Sequence, residues 1–391
     1  MAAHICTRFC INKFRESITF IQRRYRVKTK WAATRPKFPA TDLALQNFDT
    51  SYNMQLGDLW PSVRVAMLSE QKYGALINNF SSTSNVISDL EAQGCRDFIN
   101  VECSRNEAHQ HSQDSNPLHR NILKPADLHP SISPDIKCLV FPQGDISRFK
   151  PARPDSSGLL GYYLLDAASV LPVLALDVQP GQTVLDLCAA PGGKTLALLQ
   201  THTVDFLWAN DLSGSRTARL RRTLQSYLPK EFLEEDKIHI TSIDGRKLGL
   251  TEEKSFDRVL VDVPCTTDRH SVMVEENNLF KRSRTKERQQ LPLLQTQLLV
   301  AGIQATRKGG DIVYSTCSLS QLQNECVVQQ AISLALEELG ITVQVQDLRW
   351  FTQRFFDSFH FAPQLNVGEL VLPHLCANFG PIYLCKLRRM N

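Results

Sequence analysis

The sequence has no run of roughly 20 uncharged apolar residues, so nothing in its 391 residues reads as a membrane-spanning helix. It has little net charge: a formal +4 is too small to argue for a polyanionic partner by itself. Among eleven cysteines there is no CxxC pair, and no close ligand pairs of the kind structural zinc sites use. Neither a disulfide framework nor a metal site is expected. A P-loop is excluded too, because the residue five before Gly193 is Cys188 where Gly-x-x-x-x-Gly-Lys-Ser/Thr requires glycine. No internal repeat occurs, and the N-terminus lacks the uninterrupted apolar core of a secretory signal.

The 42% hydrophobic content is enough to bury a large core, and the basic residues are unevenly placed. In the first 40 residues Arg8, Lys13, Arg15, Arg23, Arg24, Arg26, Lys28, Lys30, Arg35 and Lys37 face a single acid, Glu16. Interleaved with Ile11, Phe14, Ile18 and Ile21, they form a basic amphipathic pattern with the character of a mitochondrial transit peptide. A basic arm touching RNA directly has the same composition; residues 1–40 are read as the transit peptide. A second cluster, Lys281, Arg282, Arg284, Lys286 and Arg288, precedes the helical pattern Leu291, Leu294, Leu298 and Ile303. It suits phosphate contacts, although charge runs are often merely solvated.

Residues 41–150 read as a helical and loop-rich extension. The stripe Val63, Ala66, Met67, Tyr73, Leu76, Ile77 and Phe80 predicts an amphipathic helix over Leu59 to Phe80. Ser81 to Pro134 is polar and reads as irregular; His109, His111 and His119 there lack cysteine or carboxylate partners at ligand spacing and are expected to face solvent. Residues 151–391 read as a doubly wound α/β domain, with short β-branched runs alternating with helical patterns. The expected strands are Thr183 to Cys188, Phe206 to Asp211, Ile238 to Thr241, Arg258 to Asp262, Asp311 to Thr316 and a final Ile382 to Leu387.

The first of these strands runs into Ala189-Ala190-Pro191-Gly192-Gly193-Lys194-Thr195, a glycine turn opening a helix. Ligands bind at such carboxyl-end turns, where the backbone can approach closely and helix N–H groups stand free. Asp211 ends the second strand, where an acid can hold ribose hydroxyls, and Asp244-Gly245 follows the third. Each aspartate alone is also an ordinary cap or turn residue. Together they predict a nucleoside-bearing cofactor.

Two further strands run into Asp262-Val263-Pro264-Cys265 and Ser315-Thr316-Cys317-Ser318, which brings two cysteines to the same edge. Cytosine carbon 5 is a poor nucleophile until a thiolate adds at carbon 6, and a second group must then help remove the carbon 5 proton. Asp262 can hydrogen-bond the base near ring nitrogen 3. Spacing does not decide which cysteine attacks. Cys188, Cys326, Cys376 and Cys385 are expected to be small core residues.

Tyr163-Leu164-Leu165-Asp166-Ala167-Ala168-Ser169, the Ala189 to Thr195 turn, Pro264-Cys265 and Thr316-Cys317-Ser318 together resemble the NOL/NOP/Sun family of RNA cytosine-5 methyltransferases. The match runs from about Trp60 to the C-terminus and is strongest to the family's mitochondrial ribosomal RNA branch. The resemblance implies a Rossmann-like class I methyltransferase fold with an N-terminal extension, using S-adenosyl-L-methionine. It implies that Gly192, Gly193, Lys194, Asp211, Arg216, Asp244, Gly245 and Asp262 surround that cofactor, that Cys317 is the nucleophile and that Cys265 assists release. It further implies mitochondrial small-subunit ribosomal RNA as substrate, the matrix as compartment, a part in mitochondrial ribosome assembly and a mitochondrial transcription termination factor-like partner. An assembly scaffold whose methyl transfer is secondary is the alternative. Two departures from the wider family, Thr266-Thr267-Asp268-Arg269-His270 after Pro-Cys and Gln323-Asn324-Glu325 downstream, resemble the mitochondrial branch.

Overall fold

The computed structural model describes residues 38–100, 133, 135–234, 237–363 and 365–391. The basic leader, His109, His111 and His119 lie outside the described residues, apart from the leader's last three positions.

Helix α1 (Ala40–Leu56) opens the fold, with its first N–H groups received by the Glu275 carboxylate at 3.0 and 2.9 Å. Helix α2 (Trp60–Met67) follows, with a proline in its first turn. The expected helix to Phe80 ends there: Gly74–Ile77 is strand β1, buried at all four positions. A strand buried on both sides shows no polar alternation and imitates one stripe of a helix. The segment read as irregular contains helix α3 (Thr83–Ala92) and the short strand β2 (Arg96–Asp97). With β3 (Cys138–Val140) and β4 (Tyr162–Leu165) they form an antiparallel sheet in the order β2-β3-β1-β4. Residues Ala40–Asn391 pack as one unit, which contains both the N-terminal extension and the α/β part.

Helix α4 (Leu171–Leu176), fully buried, leads into β5 (Gln182–Asp186), α5 (Gly193–Gln200), β6 (Val204–Asn210), α6 (Gly214–Tyr227) and α7 (Lys230–Glu234). Next come β7 (Ile238–Thr241), α8 (Gly245–Thr251), β8 (Phe256–Asp262), α9 (Asp268–Met273), α10 (Thr285–Ala305) and β9 (Thr306–Thr316). The chain closes through α11 (Glu325–Leu339), β10 (Val343–Val345), α12 (Arg349–Phe355), β11 (Glu369–Val371) and β12 (Ile382–Arg389). The six expected strands are all present, within a few residues of their expected ends.

The main sheet runs β10-β12-β9-β8-β5-β6-β7, with β11 also on β12. Strands β5 to β9 are mutually parallel and β12 is antiparallel between β9 and β10. Both faces are covered. Val184, Leu207, Leu260 and Val313 enter one core with α4, α5 and α6, while their neighbours Leu185, Val259, Val261 and Ile312 enter the other with α1, α2, α10 and α11. The N-terminal helices thus cover the same face as α10 and α11. Strands β6 and β8 flank β5 on opposite sides, so its carboxyl end lies where the winding reverses and ligands bind in such sheets.

Candidate active site

The turn after β5 is shaped by two glycines with different reasons. Gly192 has φ +111°, and a Cβ there would meet Leu220 Cδ1 at 2.8 Å, so α6 packs against bare backbone. A Cβ on Gly193 would approach the Tyr163 ring at 3.2 Å. Beyond the turn a cleft opens, lined by Tyr163, Asp186, Ala189, Gly193, Lys194 and Asp262 among others. Asp186 is 1% exposed; one carboxylate oxygen accepts from Thr195 Oγ1 at 2.7 Å and the other has no partner among the described residues. Burial pushes its pKa up to about 7, with the Thr195 hydrogen bond opposing.

Lys194 reaches Asp262 at 2.8 Å, and the other Asp262 oxygen accepts from Ser315 Oγ at 2.7 Å. Burial works against the Lys194 charge, but the charge and hydrogen bond of Asp262, helped by Cys317 and Asp186, outweigh it and hold the ammonium pKa above its ordinary value. Asp262 therefore joins the cleft to the cysteine loops. Cys265 and Cys317 lie with their sulfurs 3.2 Å apart, and the Thr267 N–H points at the Cys265 sulfur at 3.4 Å. The thiol of Cys317 is pushed well above the usual range by its hydrogen bond to Cys265, then by burial.

Further along the sheet edge, Arg216 pairs with Asp211 at 3.3 Å and donates to the Ala190 carbonyl, tying α6 to the glycine turn. Asp244 caps α8 and pairs with Arg246 at 2.6 Å, which holds its carboxyl below the ordinary range. Gly245 is buried, and a Cβ there would meet Leu298 and Leu187 at 3.1 and 3.2 Å. Asp244 and Gly245 thus have structural work of their own at this edge.

Several residues at the site carry no sequence signal by themselves. Asn210 hydrogen-bonds Leu187 O, Ile243 O, Ile243 N and Thr241 Oγ1, stapling the ends of β5, β6 and β7. Leu212 and Ile243, next in the chain to Asp211 and Asp244, are apolar side chains left 68% and 40% exposed at this end of the sheet. Asp268, within the Thr266 to His270 departure from the wider family's pattern, sits beneath both cysteine loops. Of the cysteines read as core residues, Cys385 is buried, Cys188 and Cys326 are half-buried, and Cys376 is exposed. Cys376 is therefore not a core residue: it lies in a loop near the C-terminal strand, which no periodicity marks as surface.

Among the described residues no helix is long and apolar enough to cross a membrane, and no cluster of His, Cys, Asp and Glu could hold a metal ion.

A parallel sheet with an antiparallel strand at β12, a glycine turn after β5 and acids after the next two strands define a class I methyltransferase. Residues 173–364 match the family model of 16S rRNA methyltransferase RsmB/F. The chain is 57% identical to the 5-cytosine rRNA methyltransferase NSUN4 of Bos taurus, covering 96% of each chain. It is 35% identical to the mitochondrial tRNA (cytosine(34)-C(5))-methyltransferase of Danio rerio, over 91% of this chain and 90% of that one. A crystal structure of NSun6 from Pyrococcus horikoshii has the same fold, with a TM-score of 0.56 at 17% identity, covering 89% of this chain and 98% of that one. The chain belongs to the NOL/NOP/Sun family of RNA cytosine-5 methyltransferases, and is an enzyme of that class.

Proposed function

We propose that the chain transfers a methyl group from S-adenosyl-L-methionine to carbon 5 of a cytosine in mitochondrial small-subunit ribosomal RNA. The observation that carries the reading is the placement of two cysteine sulfurs 3.2 Å apart, beside the carboxylate that Lys194 holds in the cleft. The similarity to a ribosomal RNA enzyme, 57% against 35% for the tRNA enzyme, favours ribosomal RNA. We assign the work to the mitochondrial matrix, with residues 1–40 as the targeting leader and residues 151–391 as the catalytic part, and include a contribution to mitochondrial ribosome assembly. A chain acting mainly as an assembly scaffold has no chemical use for the paired thiols.

The cleft suits the cofactor. The unpartnered oxygen of Asp186 suits a cationic amine, the Asp211 carboxylate suits a ribose, and Leu212 and Ile243 suit the faces of a base. When bound, S-adenosyl-L-methionine supplies an electrophilic methyl group. The protein's part begins with Cys317, whose thiolate adds to carbon 6 and makes carbon 5 nucleophilic. Asp262, aimed by Lys194 and Ser315, hydrogen-bonds the base near nitrogen 3, and the Lys194 ammonium stabilises negative charge developing on the ring. Cys265 then assists removal of the carbon 5 proton, and the bond from carbon 6 to the Cys317 sulfur breaks to restore the aromatic base.

The test is methyl transfer from labelled S-adenosyl-L-methionine to mitochondrial ribosomal RNA, with adducts read on denaturing gels. Cys317→Ala is expected to lose both transfer and adduct, and Cys265→Ala to accumulate adduct. The opposite pattern exchanges the two roles, and no transfer by the parent chain, with or without its partner, overturns the reading. We further assign part of the RNA affinity to a solenoid partner resembling the mitochondrial transcription termination factors. RNA binding by the purified chain as tight as by the complex would refute that assignment.

A further inference from the structure

The loops bearing Cys265 and Cys317 lie 52 positions apart in the chain. They are joined beneath the sulfurs by a carboxylate that the reaction does not use. Asp268 is 0% exposed, and its oxygens accept from Tyr52 OH at 2.6 Å, Thr266 Oγ1, Ser318 Oγ at 3.1 Å and Leu319 N at 2.7 Å. Its own backbone N–H donates to the Cys317 carbonyl at 3.2 Å. One partner therefore comes from the Pro-Cys loop, two from the Thr-Cys-Ser loop, and the fourth from α1 at the start of the fold. Gln323 braces the same two loops, accepting from Thr266 N at 3.1 Å and donating to Thr266 Oγ1 at 2.9 Å and Ser318 Oγ at 3.3 Å.

We propose that Asp268 is a positioning residue for methyl transfer. With Tyr52 it locks the two cysteine loops so that their sulfurs face each other, which makes the first helix a working part of the active site. The proposal rests on the cytosine chemistry given above. A buried carboxylate held by neutral donors costs stability relative to a well-packed apolar residue. Burial holds the Asp268 pKa above its ordinary value, against the opposing pull of the Thr266 and Tyr52 hydroxyls. What the carboxylate supplies is geometry: four donors from three segments converge on two oxygens, and no neutral side chain of that size accepts them all.

Two substitutions in the full chain test this. Tyr52→Phe removes one O–H and keeps the ring contacts to Phe48 and Trp60 at 4.9 and 5.4 Å. Asp268→Asn sets an NH2 group among donors. Misplacement of reacting groups by about 1 Å costs on the order of 100-fold. We therefore expect kcat to fall ~10-fold for Tyr52→Phe and ~100-fold for Asp268→Asn, while KM for RNA and Kd for S-adenosyl-L-methionine stay within about twofold. A purely structural role would lower Tm and the active fraction without slowing loop cross-linking.

A second readout needs no RNA: dilute hydrogen peroxide oxidises Cys265 and Cys317 to a disulfide, two thiols giving two electrons and two protons as peroxide becomes two waters. Its rate, read by mass spectrometry with alkylation of the exposed Cys376 as reference, should fall several-fold in both variants. Folded variants that keep the parental kcat or the parental cross-linking rate overturn the proposal. If Asp268→Asn does not fold, Tyr52→Phe decides alone. If the parent transfers no methyl group, the functional reading fails, and the cross-linking rate still decides whether Asp268 sets the loops.

Discussion

Cys317 rests as a thiol because of its neighbour. Its hydrogen bond to Cys265 comes first, burial second, and the Lys194 ammonium pulls the other way without prevailing. The thiolate is the attacking form, so adduct formation by the parent should rise with pH into and beyond the ordinary thiol range. Cys265→Ala removes the hydrogen bond and the charge repulsion that raise the Cys317 pKa. Its adduct-formation profile, measured before turnover, should therefore shift toward lower pH; an unchanged or more alkaline profile would mean that Cys265 does not control the nucleophile. The four residues nearest this chemistry, Cys265, Cys317, Asp262 and Lys194, were legible because each closes a strand or opens a helix at one edge. Gly192, Gly245 and Asp244 were legible as positions, but their local work is φ +111° under Leu220, packing under Leu187 and Leu298, and a helix cap. Asp268 was legible only as a departure from a pattern, since nothing in a local window announces partners more than 200 positions away in Tyr52 and 50 away in Ser318.

At the scale of elements, β12 is held into the sheet by charge as well as by its ladder. Asp311 on β9, 1% exposed, meets Arg388 at 2.7 Å and Lys386 at 3.3 Å from β12, and Arg258 at 3.7 Å from β8. Burial would raise its pKa, but the Arg388 hydrogen bonds and the surrounding cations hold it below the ordinary carboxylate value. A depressed pKa contributes stability above the unfolded value and loses it as pH falls through the folded one. Asp311→Asn leaves the cations uncompensated and should cost about 3–5 kcal/mol in urea unfolding at pH 7. That difference should shrink only below pH ~4, where the parent's own carboxylate begins to protonate; a constant difference across that range would assign the loss to packing instead. The strands themselves were readable because parallel strands buried on both faces are continuous β-branched runs. Strand β1 was not: Gly74-Ala75-Leu76-Ile77 is fully buried, and a Cβ on Gly74 would meet Cys138 at 2.8 Å. Its identity as a strand comes from partners at Leu139 and Leu164, far along the chain.

For the whole molecule, a net charge of +4 leaves RNA affinity to local surfaces. The cluster from Lys281 to Arg288 divides into structural and solvent-facing charges. Arg284 is committed to Glu287 and the Asn277 carbonyl, while Arg288 donates to the Leu279 carbonyl at 2.9 Å and lies 4.6 Å over the Phe280 ring. Arg288 fastens this segment to Phe280 in the core that α1 also covers, and Arg284 ties the segment to the first turn of α10. The side chains of Lys281 and Lys286 are exposed, and no hydrogen bond or close ion pair holds either ammonium group among the described residues, although the Lys281 charge acts on the Glu275 carboxylate. A lysine that neutralises one phosphate releases about one counterion. Lys281→Ala and Lys286→Ala should therefore each weaken RNA binding and reduce the slope of log affinity against log salt by roughly 0.7–0.9. Arg288→Ala should instead lower Tm and leave that slope near the parental value, since its guanidinium serves the fold. The measurement is RNA binding by the full chain across a potassium chloride series. A parental slope in the double lysine variant would move the RNA path off this segment, whereas a drop near 1.6 would place two phosphates along the segment that leads into α10.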